Sequence, residues 1–328
     1  MGLIEDGTHT EIQEEPQEEQ TESISAPARH PLFITAVALF YILLWSSAFI
    51  ATKIGVTHSP PLTLLATRFL VAALLMTVLA RLCKLSRPRG WKTWGQLACF
   101  GLLNSALYLG CNYIALRYLS AGMGSILATT HPLLLTLIAP FLLKERLTWW
   151  RILGLILGFG GVLFVMGVRL GEHGQLDTAG GMLLSLVGVV CLVAATIFYK
   201  RYPPHDHPFV VNAVQLGAAG LALVLPAVFF EHPEQIHIDA PLAWSFLYLV
   251  LVISIGASLL WFWLLKQGEA SVVSAYYFLT PITGLALAAL LLGEPFGLRD
   301  ALGLVAVATG IALINHRTRT LKKPSRQK

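Results

Sequence analysis

Charge is scarce in this chain. Of 328 residues, 12% are Asp, Glu, Lys or Arg and 55% are hydrophobic, with a mean hydropathy of +0.68. A soluble domain carries about 25% charged residues, so the composition excludes an ordinary water-soluble globule and points to the bilayer. Carboxylates are scarcer still. Beyond residue 28 there are ten, namely Glu145, Glu172, Asp177, Asp206, Glu231, Glu234, Asp239, Glu269, Glu294 and Asp300. All fall in loops or at the ends of apolar runs. A proton-driven exporter of cationic drugs commonly needs a carboxylate buried in the membrane, so that function is disfavoured. Metal ligands are thin as well. Of ten histidines only His131 lies well inside an apolar run. A membrane-embedded metal enzyme needs clustered ligands and is disfavoured; no catalytic cluster and no cofactor is implied. His205 and His207 share a short HDHP loop, where metal binding is the weaker reading. The four cysteines, Cys83, Cys99, Cys111 and Cys191, have neither disulfide nor metal spacing and read as small apolar fillers.

Basic residues are missing from the first 28 positions, which carry eight acids and no Lys or Arg. A secretory signal begins basic, so no cleavable signal is expected there. With few apolar residues for a core, residues 1–31 read as a disordered acidic tail, either merely solvated or a docking arm.

What the chain has in abundance is long apolar runs. A membrane-spanning helix needs roughly 20 mainly apolar residues. Ten runs meet that measure, at about 33–56, 62–82, 94–116, 121–143, 150–168, 180–200, 208–230, 243–265, 270–292 and 298–316. A β-barrel would alternate polar and apolar positions. The run Ile152 to Val165, ILGLILGFGGVLFV, does not alternate. The expected fold is therefore an all-α membrane protein of ten transmembrane helices. Lys and Arg sort sharply across them. The loops and tails on the amino-terminal side hold 18 of the 23, and the other side holds only Arg117, Arg169 and Arg299. The positive-inside rule then puts both termini in the cytoplasm. The basic tail 317–328, beside a last span, reads as meeting anionic lipid rather than nucleic acid.

The chain is also written twice. THPLLLTLIAPFLLKE (Thr130 to Glu145) and LTPITGLALAALLLGE (Leu279 to Glu294) share one layout. A shift of 149 residues pairs Ala121 with Ala270, Ser125 with Ser274, Pro132 with Pro281, Glu145 with Glu294, Gly154 with Gly303 and Gly161 with Gly310. Five spans per half is odd, so the second half, 180–316, lies upside down relative to the first, 32–168, with 169–179 as the outer linker. Inverted repeats are the architecture of many secondary transporters, with substrate bound near the midplane.

On these residues a resemblance emerges. FYILLWSSAFIATKIG (Phe40 to Gly55), PLTLLATRFLVAALLM (Pro61 to Met76) and, in both halves, a Pro-to-Glu span followed by a Gly-rich one resemble the EamA family of the drug/metabolite transporter superfamily. The resemblance implies a ten-helix bundle with the fifth and tenth helices peripheral and the other eight around a central cavity, and most often export of an amino acid or related compound. The amino-terminal parts of the halves align more loosely, with Pro61 facing Pro208; there Gln215 stands in the place of Arg68, and no tryptophan matches Trp45.

Several residues are candidates for the pathway. Pro132 and Pro281 each remove a backbone hydrogen bond, which makes them hinges of a bent pathway helix or simple packing kinks. Thr129, Thr130 and His131 flank the first, and Tyr276, Tyr277 and Thr280 the second. Arg68 stands about seven residues into the second span, roughly 10 Å deep at 1.5 Å per residue. It is either a receptor for a substrate carboxylate or phosphate, with Lys53 as a companion, or a snorkelling side chain. Asn104, Tyr108 and Asn112 share a helical face, as do Ser254, Ser258 and Trp261, and Trp45 follows Tyr41 by four. Such stripes line a cavity or glue helices together. Lys53, Glu145 and Glu294 are candidate gates, the glutamates pairing with a basic partner in one state; the alternative is helix-end solvation. Gly154, Gly158, Gly161, Gly303 and Gly310 suit close packing in a peripheral or homodimer-forming role. The expectation is a secondary transporter of the inner or plasma membrane that moves a small polar, amino-acid-like metabolite, with export as the direction. A broad drug exporter and a non-transporting scaffold are the alternatives.

Overall fold

The computed structural model describes residues 31–143, 148–171, 177–266 and 279–316, and every regular element among them is helical. In chain order these are α1 (Pro31–His58), α2 (Pro61–Leu82), α3 (Trp91–Gly101), α4 (Tyr108–Ala115), α5 (Ala121–Ala128), α6 (Thr130–Leu143) and α7 (Trp149–Gly171). They continue with α8 (Ala179–Arg201), α9 (Pro208–Phe230), α10 (Ala240–Leu247), α11 (Ser258–Lys266), α12 (Thr280–Leu292) and α13 (Leu298–His316). Among the described residues eight helices are long and apolar enough to cross a membrane.

Local chemistry fixes the boundaries. Pro61 and Pro208 open α2 and α9, where a missing N–H costs nothing. The side chains of Ser120, Thr178 and Asp239 accept from the backbone N–H groups of Met123, Gly181 and Leu242 at 3.1, 3.1 and 3.0 Å. Gly293 ends α12 at φ 64°, a left-handed residue that favours glycine.

Two features depart from straight spans. The third and eighth are interrupted by widened, π-type turns, Leu102–Leu107 and Tyr248–Ala257. The fourth breaks at Thr129, whose N–H reaches back only three residues, to the Ile126 carbonyl at 3.0 Å. Pro132 explains the break: it has no N–H for the Ala128 carbonyl.

The surface is apolar, and polar side chains are buried beside an apolar core. Leu74, Leu163, Leu221 and Leu290 stand 64%, 65%, 66% and 81% exposed, whereas Ser46, Ser105, Ser125, Ser185 and Asn212 are buried. Apolar side chains outward and polar side chains inward are what a lipid surround requires. Glycine lets two helices approach backbone to backbone. On α7 and α13, a Cβ at Gly154 would stand 2.6 Å from the Gly310 carbonyl oxygen, and one at Gly161 would stand 2.8 Å from that of Gly303. These glycines are therefore spent inside the chain. Gly161→Val is expected to cost about 1–3 kcal/mol by overpacking, while Gly160→Ala, which meets nothing within 4 Å, should be neutral. Melting of the two variants in detergent checks this.

Candidate functional site

Arg68 is a buried charge within the second span. Its side chain leaves α2 only 5% exposed. Nε donates to Ser254 Oγ at 2.9 Å, and Nη1 donates to the Tyr113 hydroxyl. The guanidinium lies 5.5 Å from the Phe69 ring centre and 5.9 Å from that of Tyr113, within cation–π reach. No carboxylate among the described residues pairs with it. Nη2 has no protein partner among them either. The network continues into the second half. Asn212 Nδ2 on α9 donates to the Ser254 carbonyl at 3.1 Å and contacts Met76 Sδ at 3.3 Å. Gln215 donates to Asn212 Oδ1, leaving Gln215 Oε1 buried and without a partner among the described residues. A cation and an unused acceptor thus sit in one buried cluster drawn from α2, α4, α9 and the widened turn after α10. Such a cluster can bind a small molecule carrying an acid and a hydrogen-bond donor.

The other residues singled out from the sequence scatter around this cluster. Trp45 is half-buried and stacked on Tyr41, with ring centres 6.3 Å apart. Asn104 lies in the first widened turn, 3.4 Å from Ser105 Oγ. Tyr108 is buried, and Asn112 is buried with both amide atoms unpartnered among the described residues, facing α8 beside Gly188. The hydroxyls of Thr129 and Thr130 turn back to their own helix at 2.6 and 2.7 Å. His131 Nε2 meets Thr196 Oγ1 on α8 at 3.0 Å. Pro132 sits in the first turn of α6. Pro281 and Thr280 open α12, and the Thr280 carbonyl accepts from Ser46 Oγ at 3.2 Å. Glu145, Tyr276 and Tyr277 lie outside the described residues, as does the side chain of Trp261.

The candidate gates take partners that the sequence did not suggest. Lys53 does not join Arg68; its Nζ donates to the carbonyls of Leu116 and Leu119 at 2.7 and 2.6 Å. Glu294 takes no basic side chain among the described residues and instead accepts from the backbone N–H groups of Ala121 and Gly122 at 2.7 and 2.9 Å. Glu231, not singled out from the sequence, does the same for α2, accepting from Leu62 N and Thr63 N at 2.7 Å each. Negative charge at a helix start is favourable, because the first N–H groups lack helical partners.

All of these contacts lie at the end of the bundle remote from the start of α1. The same end holds a buried ion pair. Arg169 Nε and Nη2 reach Asp300 Oδ1 and Oδ2 at 3.0 Å each, and Nη2 also reaches the Pro295 carbonyl at 2.9 Å. Asp177, 4.0 Å from the same guanidinium, accepts from Ser120 N at 2.7 Å. The signal for Gln215 was present in the sequence, as the residue that replaces Arg68 in the second half. Nothing local marked Glu231 or Tyr113. Among the described residues no group of His, Cys, Asp or Glu could hold a metal ion.

Known proteins bear on this arrangement of buried polar groups inside an apolar bundle. A protein of known crystal structure superposes with a TM-score of 0.64 at 20% identity, over 89% of this chain and 99% of its own, a likeness of fold. Among curated relatives, an uncharacterized transporter of Bacillus subtilis, YvbV, is 31% identical over 290 residues, 88% of this chain and 93% of its own. A Salmonella typhimurium protein named "Probable amino-acid metabolite efflux pump" is 28% identical over 284 residues, 84% of this chain and 92% of its own. The model of the EamA-like transporter family matches twice, over residues 32–167 and 179–316, one match on each half of the repeated sequence. With the apolar bundle and its internal polar cluster, that double match makes the chain a membrane transporter and a member of the EamA-like transporter family.

Proposed function

We propose that the chain is a secondary transporter whose halves, 32–168 and 180–316, are inverted five-helix repeats that expose one substrate site to each side of the membrane in turn. The substrate is a small polar metabolite bearing an acid group, amino-acid-like, and export is the direction. The cytoplasmic membrane is the setting, with both termini inside. The observation that carries the reading is Arg68, a buried cation with no carboxylate partner among the described residues, held by residues of both halves. On insertion scales such an arginine costs roughly 2.5–3.5 kcal/mol. A substrate carboxylate would offset that cost and receive a forked pair of hydrogen bonds.

Two details of packing favour inverted repeats. The sequence shift equates Gly154 with Gly303 and Gly161 with Gly310, yet Gly154 packs on Gly310 and Gly161 on Gly303. Exchange of partners in this way is what a two-fold axis lying across the helix pair produces. The widened turns fall at matching places too, since Leu102–Leu107 shifted by 149 lies within Tyr248–Ala257. Around the site, Trp45, Asn104, Tyr108, Asn112, Thr129, His131, Trp261, Thr280 and, outside the described residues, Tyr276 and Tyr277 are the proposed lining, with Pro132 and Pro281 as hinges and Lys53, Glu145 and Glu294 at the gates. The relative named as an amino-acid metabolite pump supports the substrate class.

A melting-temperature screen of the purified protein against amino acids, nucleosides, sugars, organic acids and cationic drugs tests this. A ligand at 100 times its Kd adds about 2.7 kcal/mol. Stabilisation by acid-bearing metabolites alone is the expected result. Stabilisation by many unrelated drugs would replace the reading with a broad exporter.

A further inference from the structure

We propose that Glu294 is a latch that holds one gate shut by capping α5, and that the gate opens when α5 parts from α12, pivoting at the break between Thr129 and Pro132. The proposal rests on the alternating-access reading and assigns its moving part.

Three observations carry it. First, α5 and α12 are pressed together at the end remote from the start of α1. Gly284 leaves room for Ser125 and no more, and Gly122 packs under Leu285 and Ala288. Second, the chain changes neighbours at the break. Beyond it α6 meets α8 through His131 and Thr196, and α7 through Leu133, which fills the space over Gly158. Third, the α5–α12 contact is pinned at its tip. The Glu294 carboxylate seats both oxygens on the first two N–H groups of α5. Lys53 is within electrostatic reach of Glu294 and holds the chain just ahead of α5 through the Leu116 and Leu119 carbonyls. The free N–H groups of a helix start are a strong seat for a carboxylate, yet one that water can take over once the helix moves away. Such a contact favours the closed state without welding it.

Glu231 supplies the comparison. It makes the same cap, on α2, but there the two helices are interlocked along their length: Gly220 on α9 lies against Leu70, and Gly217 lies against Ala73. A cap on that pair holds the scaffold, not a gate.

The experiment uses the full chain in membrane vesicles, with Cys83, Cys99, Cys111 and Cys191 replaced and one reporter, Ser125→Cys, placed in the α5–α12 contact. A membrane-impermeant thiol reagent is applied to the face bearing the α1–α2 turn, and separately to the opposite face. Glu294→Gln keeps the shape of the side chain and removes its charge. It is expected to raise labelling from the α1–α2 face about tenfold, because a contact made only in the closed state sets the closed population. Glu231→Gln is expected to lower the melting temperature and leave labelling unchanged. Unchanged labelling in Glu294→Gln overturns the latch, as does an equal rise in both variants or an equal rise from both faces. Labelling needs no substrate, so a failed latch leaves the transport reading to be judged by the ligand screen alone.

Discussion

Arg68→Ala is expected to abolish transport of an acid-bearing substrate while the bundle stays folded. The two halves of that statement have separate causes. Hydrogen bonds to charged groups contribute about 1.5–3 kcal/mol each, so losing a forked pair weakens binding by about a hundredfold or more. Folding is nearly indifferent. The variant gives up two hydrogen bonds, to Ser254 and Tyr113, and is relieved of a buried cation. Those bonds too are made by a charged group and are worth about 1.5–3 kcal/mol apiece, and the charge costs roughly 2.5–3.5 kcal/mol, so the terms largely offset one another. Arg68→Lys keeps the charge and loses the planar fork, and should fall between wild type and alanine. Uptake kinetics in vesicles, with melting curves alongside, separate the two effects. Full transport by Arg68→Ala would remove Arg68 from the site.

Arg169→Ala is expected to give the largest loss of stability. Arg169, Asp177 and Asp300 are 3%, 6% and 5% exposed, so the variant leaves two carboxylates buried without their cation. Breaking a buried pair in this way costs about 3–5 kcal/mol. Replacing both partners with apolar residues is far milder, because the desolvation cost is lifted along with the attraction. Arg169→Met combined with Asp300→Leu should therefore recover most of the loss. The measurement is thermal or denaturant unfolding in detergent. A loss in Arg169→Ala below about 1 kcal/mol would place the pair with surface ion pairs and contradict its burial.

Much of the fold was legible because hydropathy in a membrane chain has one main cause. Each span from the first to the eighth matches a helix, or a pair of helices, within a few residues. Boundaries with a chemical marker were legible too, such as Pro61, Pro208 and the break three residues ahead of Pro132. The widened turns were not, since no residue in Leu102–Leu107 or Tyr248–Ala257 signals an extra residue per turn. That omission misplaced a stripe. Asn104, Tyr108 and Asn112 share a face only on a regular helix, and Asn104 falls inside the first widened turn.

The site divides in the same way. Arg68 stood out alone because an isolated charge in an apolar run is conspicuous. Its partners were hidden by distance along the chain, with Tyr113 45 residues away and Ser254 186. Glu294 was marked by the repeat, yet charge pairing suggested a basic side chain where the structure supplies two backbone N–H groups. Glu231 has no counterpart in the repeat and reaches Thr63 across 168 positions. Side-chain chemistry shows in a sequence, whereas a carboxylate's choice of a helix start depends on how the helices are brought together.

The central claim is that one site at Arg68 is carried from one face of the membrane to the other. Counterflow tests it most directly: proteoliposomes are loaded with an unlabelled acid-bearing metabolite from the stabilising class, diluted, and given a trace of the labelled compound outside. The account predicts transient accumulation of label with the wild-type protein and none with Arg68→Ala. Absence of accumulation with the wild-type protein, or equal accumulation with the variant, would contradict it.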